Sequence, residues 1–258
     1  MSPGGEAFRF RCLDTVAENA LTDRSNDAMH EPELTRILEH ALHAQIAARC
    51  HRAYRHDLRN GLQGIYGGFD ALNRLLQSPK DAARVERTVD FVRQAITGHE
   101  KSLDRVLHAL SPLEQAPEPT EVSVLLQELV KFLTNDAAAN RVTLRNSTAH
   151  PVSARVRSNK LRLVLLSVMI DAIEAMPGGG VLQLISSTSN GAPLIEFTDT
   201  RADALPEDPW KLDLDTTPVY RGWTLYAVRQ LIVAEAGRID CEASPTGGRC
   251  VRIWLQAV

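Results

Sequence analysis

Aromatic side chains are scarce in this chain, at 5% of its 258 residues. The core must therefore be mostly aliphatic, and an apolar content of 44% is ample to build one. No apolar run approaches the ~20 residues that span a bilayer. The first residues, MSPGGEAFRFRCLDTVAEN, lack the apolar stretch of a secretion signal. A dominant charge is missing too: the formal net charge of -3 gives no footprint for nucleic acid or an anionic membrane. The four cysteines (Cys12, Cys50, Cys241 and Cys250) show no C-x-x-C spacing, which argues against a metal site. Cys241 and Cys250 could face each other across a terminal hairpin, yet free thiols are expected in a reducing compartment. These absences together predict a cytoplasmic chain with neither membrane nor nucleic acid as partner.

What the sequence does contain is periodicity. Residues 1–30 show none that is sustained and read as an N-terminal arm. From Glu31, the positions Leu34, Ile37, Ala41, Ala44 and Ala48 alternate steps of three and four. After a break at His51 and Arg55 the register resumes with Leu58, Leu62, Ile65, Phe69, Leu72 and Leu76, and Ser78-Pro79 ends it. That is one helix about 65–70 Å long. A second helix keeps the same alternation through Val85, Val89, Val92, Ile96, His99, Leu103, Val106 and Leu110 until Pro112. Two matched stripes with a short connection predict an antiparallel helical hairpin over residues 31–113. One hairpin leaves its stripe uncovered, so a homodimer closing a four-helix bundle is expected.

EQAPEPTE, residues 114–121, reads as a linker. Beyond it, residues 122–258 mix strand-like segments (RVTLRN, VSARVR, VLQLISST, PLIEFTD, RIDCEAS, RCVRIWLQ) with helix-like ones. The expected fold class is α+β, with an N-terminal helical hairpin and a C-terminal α/β sandwich.

The segment HRAYRHDLRNGLQGIYGGFDALNRLL carries the chemistry. His56 lies two residues before the stripe position Leu58, about 200° around the helix, which predicts an imidazole on the outer face of the bundle. Asp57 beside it could hold Nδ1–H and leave Nε2 as a nucleophile. Arg55 and Arg59 could offset the charge of a phosphoryl group on that nitrogen. Gly61, Gly64 and Gly68 continue the spacing of Asp57. A side-chain-free strip of this kind admits a partner helix close to the backbone; tight packing within the bundle is the alternative. His99 falls on the stripe and is expected to be a core histidine with a hydrogen-bond partner.

HDLRNGL resembles the H-box of the dimerisation and phosphotransfer domain of bacterial sensor histidine kinases. The resemblance implies that His56 is the phosphoacceptor, Asp57 the assisting acid, and Asn60 the position linked with phosphatase chemistry; Gly61 stands where a proline is usual. NKLRLVLLSVMIDAIEAMPGGG is similar to the N-box helix of that family's ATP-binding domain, and IEFTDT to the strand bearing its adenine-binding Asp, at Asp199. LDLDTTP resembles the segment before the lid, and TLYAVRQLIVAEAGRID with ASPTGGRCVRIWL resembles the last helix and hairpin. In this frame the departures are telling. The Mg²⁺-binding Asn is replaced by Asp171, with Ser167 one turn earlier. The first glycine box, D-x-G-x-G, reads Asp199, Thr200, Arg201, Ala202, Asp203. The second reads YRGWTL and keeps only Gly222. Glycines there let backbone N–H groups approach phosphates; Arg201 and Trp223 bring bulk instead.

The resemblance with these losses implies a histidine phosphotransferase that uses no ATP and holds no cofactor. It would take phosphate from the receiver domain of an upstream hybrid histidine kinase and pass it to a response regulator, the receiver domains supplying Mg²⁺. An atypical soluble histidine kinase and a pseudokinase binding module are the alternatives.

Overall fold

The computed structural model describes residues 31–77, 82–109, 116–148, 151–202, 208–211, 219–245 and 247–258; side chains at 31–32, 49–57, 102, 105–109 and 219–222 are not described. The chain is mixed helix and sheet. Its described residues divide into two compact units, one holding residues 31–45 with those from 116 onward and the other those between 46 and 109. Helix α1 (Glu31–Gln77) passes through both, and helix α2 (Ala82–Ala109) lies in the second.

In the first unit, strand β1 (Glu118–Glu121) pairs antiparallel with β3 (Ser153–Val156) as a small two-stranded sheet. The second half of the expected linker is thus a strand, and Pro119 is tolerated because the pair leaves edges free. Helix α3 (Val122–Ala139) follows directly. Val122 N–H donates to Val152 O at 2.8 Å, and Ser123 Oγ accepts from Val152 N at 2.9 Å. These two bonds tie the start of α3 to the chain entering β3.

The main sheet runs β2 (Val142–Thr148), β4 (Gly180–Ser189), β5 (Ala192–Asp199), β7 (Arg249–Trp254), β6 (Arg238–Ala243). β2 pairs parallel with β4, and the remaining pairs are antiparallel. Strand alternation places Leu182, Leu184, Ile195, Phe197, Val251 and Ile253 in the core. The intervening residues form a mixed, half-buried face, where Arg252 Nε reaches Glu196 Oε2 at 2.6 Å. Helix α4 (Ser158–Glu174) is apolar almost all round and is buried from Leu163 through Ile173, as the pattern of a central helix requires. Helix α5 (Val219–Ala234) packs beside it. Among the described residues, no helix is long and apolar enough to cross a membrane.

Two expectations need correction here. In the first stretch of α1 the buried positions are Leu38, Glu39 and Leu42, not Leu34, Ile37 and Ala41, because this stretch folds with the sheet domain rather than with the hairpin. Cys241 and Cys250 are free thiols that do not face each other. Cys241 pairs with Val251 and Cys250 with Glu242, a one-residue offset that puts them on opposite faces of the sheet.

Candidate functional site

The acidic pair of the sheet domain comes from two elements. Asp171 lies near the end of α4, one turn after Ser167, and Asp199 ends β5. Both are buried. Ser167 does not join them: its hydroxyl donates to Leu163 O at 2.8 Å within its own helix. Two arginines do.

Arg201 forks onto Asp199, with Nε 2.9 Å from Oδ2 and Nη2 2.7 Å from the same oxygen, and Nη2 also reaches Asp171 Oδ2 at 3.2 Å. Arg249 closes the other side, with Nη2 2.6 Å from Asp171 Oδ2 and its backbone N–H donating to Asp199 Oδ1 at 3.1 Å. All four side chains are 12% exposed or less, which makes a buried, charge-neutral quartet. Such charges are tolerated away from water only when each finds its opposite.

The electrostatics follow from this packing. Burial alone would push the Asp171 carboxyl up, but the guanidiniums of Arg249 and Arg201 outweigh it and hold the group below the usual carboxylate range. Burial likewise opposes the charge on Arg201, and Asp171 and Asp199 reverse that, raising its pKa. Nearby, burial raises the Cys241 thiol to about 11, so it stays protonated at neutral pH.

The backbone is shaped around the quartet. Gly248 has φ +87°, and a Cβ there would stand 2.0 Å from Asp199 O. Only glycine lets the β6–β7 turn press against the end of β5, and that approach brings the Arg249 N–H to Asp199.

Arg249 is the member of the quartet that residue spacing did not single out. A signal was present: Arg249 shares strand alternation with the buried Val251 and Ile253, and a charge at an inward position calls for a buried partner. Gly222 lies in α5 within the stretch whose side chains are not described.

In the hairpin, His56, Asp57 and Arg55 lie in α1, and their side chains fall outside the described residues. Arg59 and Asn60 are exposed. The glycine strip is the clear correction. A Cβ at Gly61 would lie 2.9 Å from His99 Nδ1, one at Gly64 3.8 Å from Ala95 Cβ, and one at Gly68 2.4 Å from Val92 Cγ2. The strip therefore faces α2 of the same hairpin. Its glycines allow the two helices to approach closely, and they are not an outward docking track. His99 packs against Gly61, and its Nδ1 is buried with no hydrogen-bond partner.

Among the glycines of α1, the one that faces open space is Gly67, where a Cβ would meet nothing within 4 Å. Gly67→Ala is expected to raise stability by up to about 1 kcal/mol through helix propensity alone. Gly68→Ala must displace the stiff Val92 and is expected to cost about 1–3 kcal/mol. Denaturant unfolding of the two variants checks both signs.

The chain is histidine-kinase-like by sequence similarity, and its helices and mixed sheet fit a GHKL-type ATPase-like domain. It is 23% identical over 219 residues to the sensor histidine kinase ZraS of Escherichia coli K12, covering 78% of this chain and 43% of that protein. It thus spans less than half the length of the curated relatives it matches. Among solved structures, the catalytic domain of histidine kinase ThkA aligns at 15% identity and TM-score 0.49, covering 55% of this chain and 96% of that one. The Acinetobacter baumannii histidine kinase AdeS aligns at 17% identity and TM-score 0.45, covering 78% and 97%. No family profile matches the chain.

Proposed function

We propose that this protein is a histidine phosphotransferase of a two-component phosphorelay, acting through His56 without ATP. The observation that carries the proposal is the buried quartet. In the histidine-kinase resemblance, Asp171 and Asp199 occupy the Mg²⁺- and adenine-binding positions. Here both carboxylates are neutralised by Arg201 and Arg249, and Arg201 stands where the first box has glycine. A nucleotide and its metal would have to displace the buried bidentate Arg201–Asp199 contact and the buried Arg249–Asp171 pair before either carboxylate could serve them. The side chains at this position fit one another and do not fit Mg·ATP.

Phosphotransfer then needs only a presented imidazole. Nε2 of His56 attacks the phosphorus of an aspartyl phosphate on a receiver domain. The P–O bond to that aspartate breaks, its carboxylate is released, and a P–N bond forms. The reverse sequence delivers the phosphoryl group to the aspartate of a response regulator. Asp57 would steady Nδ1–H, while Arg55 and Arg59 would offset charge on the phosphoryl oxygens.

A homodimer fits the hairpin. Leu62, Phe69 and Leu76 on α1 and Val89, Ile96 and Leu103 on α2 are each spaced by seven and each more than a third exposed. A second copy would cover these two stripes.

The test is to incubate the protein with phosphorylated receiver domains, and separately with labelled ATP and Mg²⁺. Label is expected from a receiver and not from ATP. Label from ATP alone would replace the relay by an autokinase.

A further inference from the structure

The first fifteen residues of α1 are held by an ion network that the quartet does not involve. Glu39 is 7% exposed between the buried Leu38 and Leu42. Lys160, in the first turn of α4, sets its Nζ 3.0 Å from Glu39 Oε1 and 3.1 Å from Oε2. The same ammonium lies 3.9 Å from Oε1 of Glu235, just beyond α5, and Arg157 pairs with Glu235. Two cations of the sheet domain thus serve two acids, one of them donated by α1. A carboxylate this deeply covered would not be kept beside two leucines without its cation.

We infer that Glu39 and Lys160 form a latch that fastens the start of α1 to the sheet domain, giving a domain that binds no nucleotide a mechanical task. The anchored stretch continues without a break in the helix through position 56 to Gln77. Anchoring one end of a helix limits its fraying and the wandering of what it carries. Lys160 and Glu39 are positioning residues in this account. The part concerning phosphotransfer rests on the function proposed above, whereas the latch itself does not.

Hydrogen exchange of the full chain reads the latch directly. Lys160→Met strands the buried Glu39 carboxylate, and Glu39→Leu leaves Lys160 only its longer contact with Glu235; each is expected to speed exchange in residues 31–45, by about tenfold or more for Lys160→Met, while the sheet core stays protected. Lys160→Arg should keep protection. The double variant Glu39→Leu/Lys160→Met, with an apolar pair in place of an ionic one, should restore it. Unchanged exchange in the single variants, or no recovery in the double, would overturn the latch. The initial rate of phosphoryl uptake from a receiver should fall in the single variants and recover in the double; a rate that ignores loosened exchange would overturn the mechanical task. If the wild-type protein accepts no phosphate at all, the proposed function fails, and the exchange data still decide the latch.

Discussion

A His56→Ala variant is expected to take up no phosphoryl group from any phosphorylated receiver, while the wild-type protein is labelled and passes the label on. The loss should be complete rather than partial, because alanine offers no nucleophile and no other residue of the H-box-like segment can take its place. Asp57 is a poor substitute: its carboxylate is a weaker nucleophile repelled by the phosphoryl oxygens, and transfer would only trade one acyl phosphate for another with no gain in stability. Fold is the control. Far-UV circular dichroism and solution mass should match the wild-type protein. Asp57→Asn, by contrast, should slow uptake without abolishing it, because it leaves Nε2 in place and weakens only the hold on Nδ1–H. Equal labelling of wild type and His56→Ala would show that the phosphoryl group goes elsewhere.

Arg249→Met is expected to destabilise the sheet domain by about 3 kcal/mol or more. Arg249 is 3% exposed and is the nearest cation to Asp171. Removing it leaves a buried carboxylate leaning on Arg201 alone, and stranding a charge costs far more than the pair ever contributed. Asp171→Asn in the same chain should recover much of the loss by removing the stranded charge. The sign of the pH dependence follows from the same contacts. The folded-state pKa of Asp171 lies below its ordinary value, so its contribution is present above the unfolded pKa of about 4 and disappears as pH falls through the folded value. Arg249→Met should flatten that acid limb. Thermal unfolding across acidic pH measures both effects; a loss well under 1 kcal/mol at neutral pH would mean the quartet is not closed as described.

Much of this arrangement could be read from residue spacing alone. The long helices announced themselves by three-and-four alternation, and α4 by an apolar run that ends at a Pro-Gly stop. Asp171 and Arg201 stood out as replacements within recognisable motifs, and Asp199 as a retained motif position. Other features depend on contacts between distant residues, and spacing does not report those. The strip from Gly61 to Gly68 has the same periodicity whether it faces a partner or the hairpin's own second helix; only Val92, Ala95 and His99 across the seam decide it. The phase of the first stretch of α1 was misread because alanines at Ala41, Ala44 and Ala48 mimic a seam, while Leu38 and Leu42 dock on the sheet domain. Arg249 was missed because its partner lies fifty positions away on a neighbouring strand.

The central claim is that two arginines hold the carboxylates that would otherwise receive a nucleotide and its metal. Titrating the wild-type protein with a fluorescent ATP analogue in millimolar Mg²⁺ tests it most directly. The account predicts no saturable signal up to the highest concentration reached, and no shift in melting temperature with ATP. Saturable micromolar binding, competed by unlabelled ATP and raising the melting temperature of the sheet domain, would contradict it.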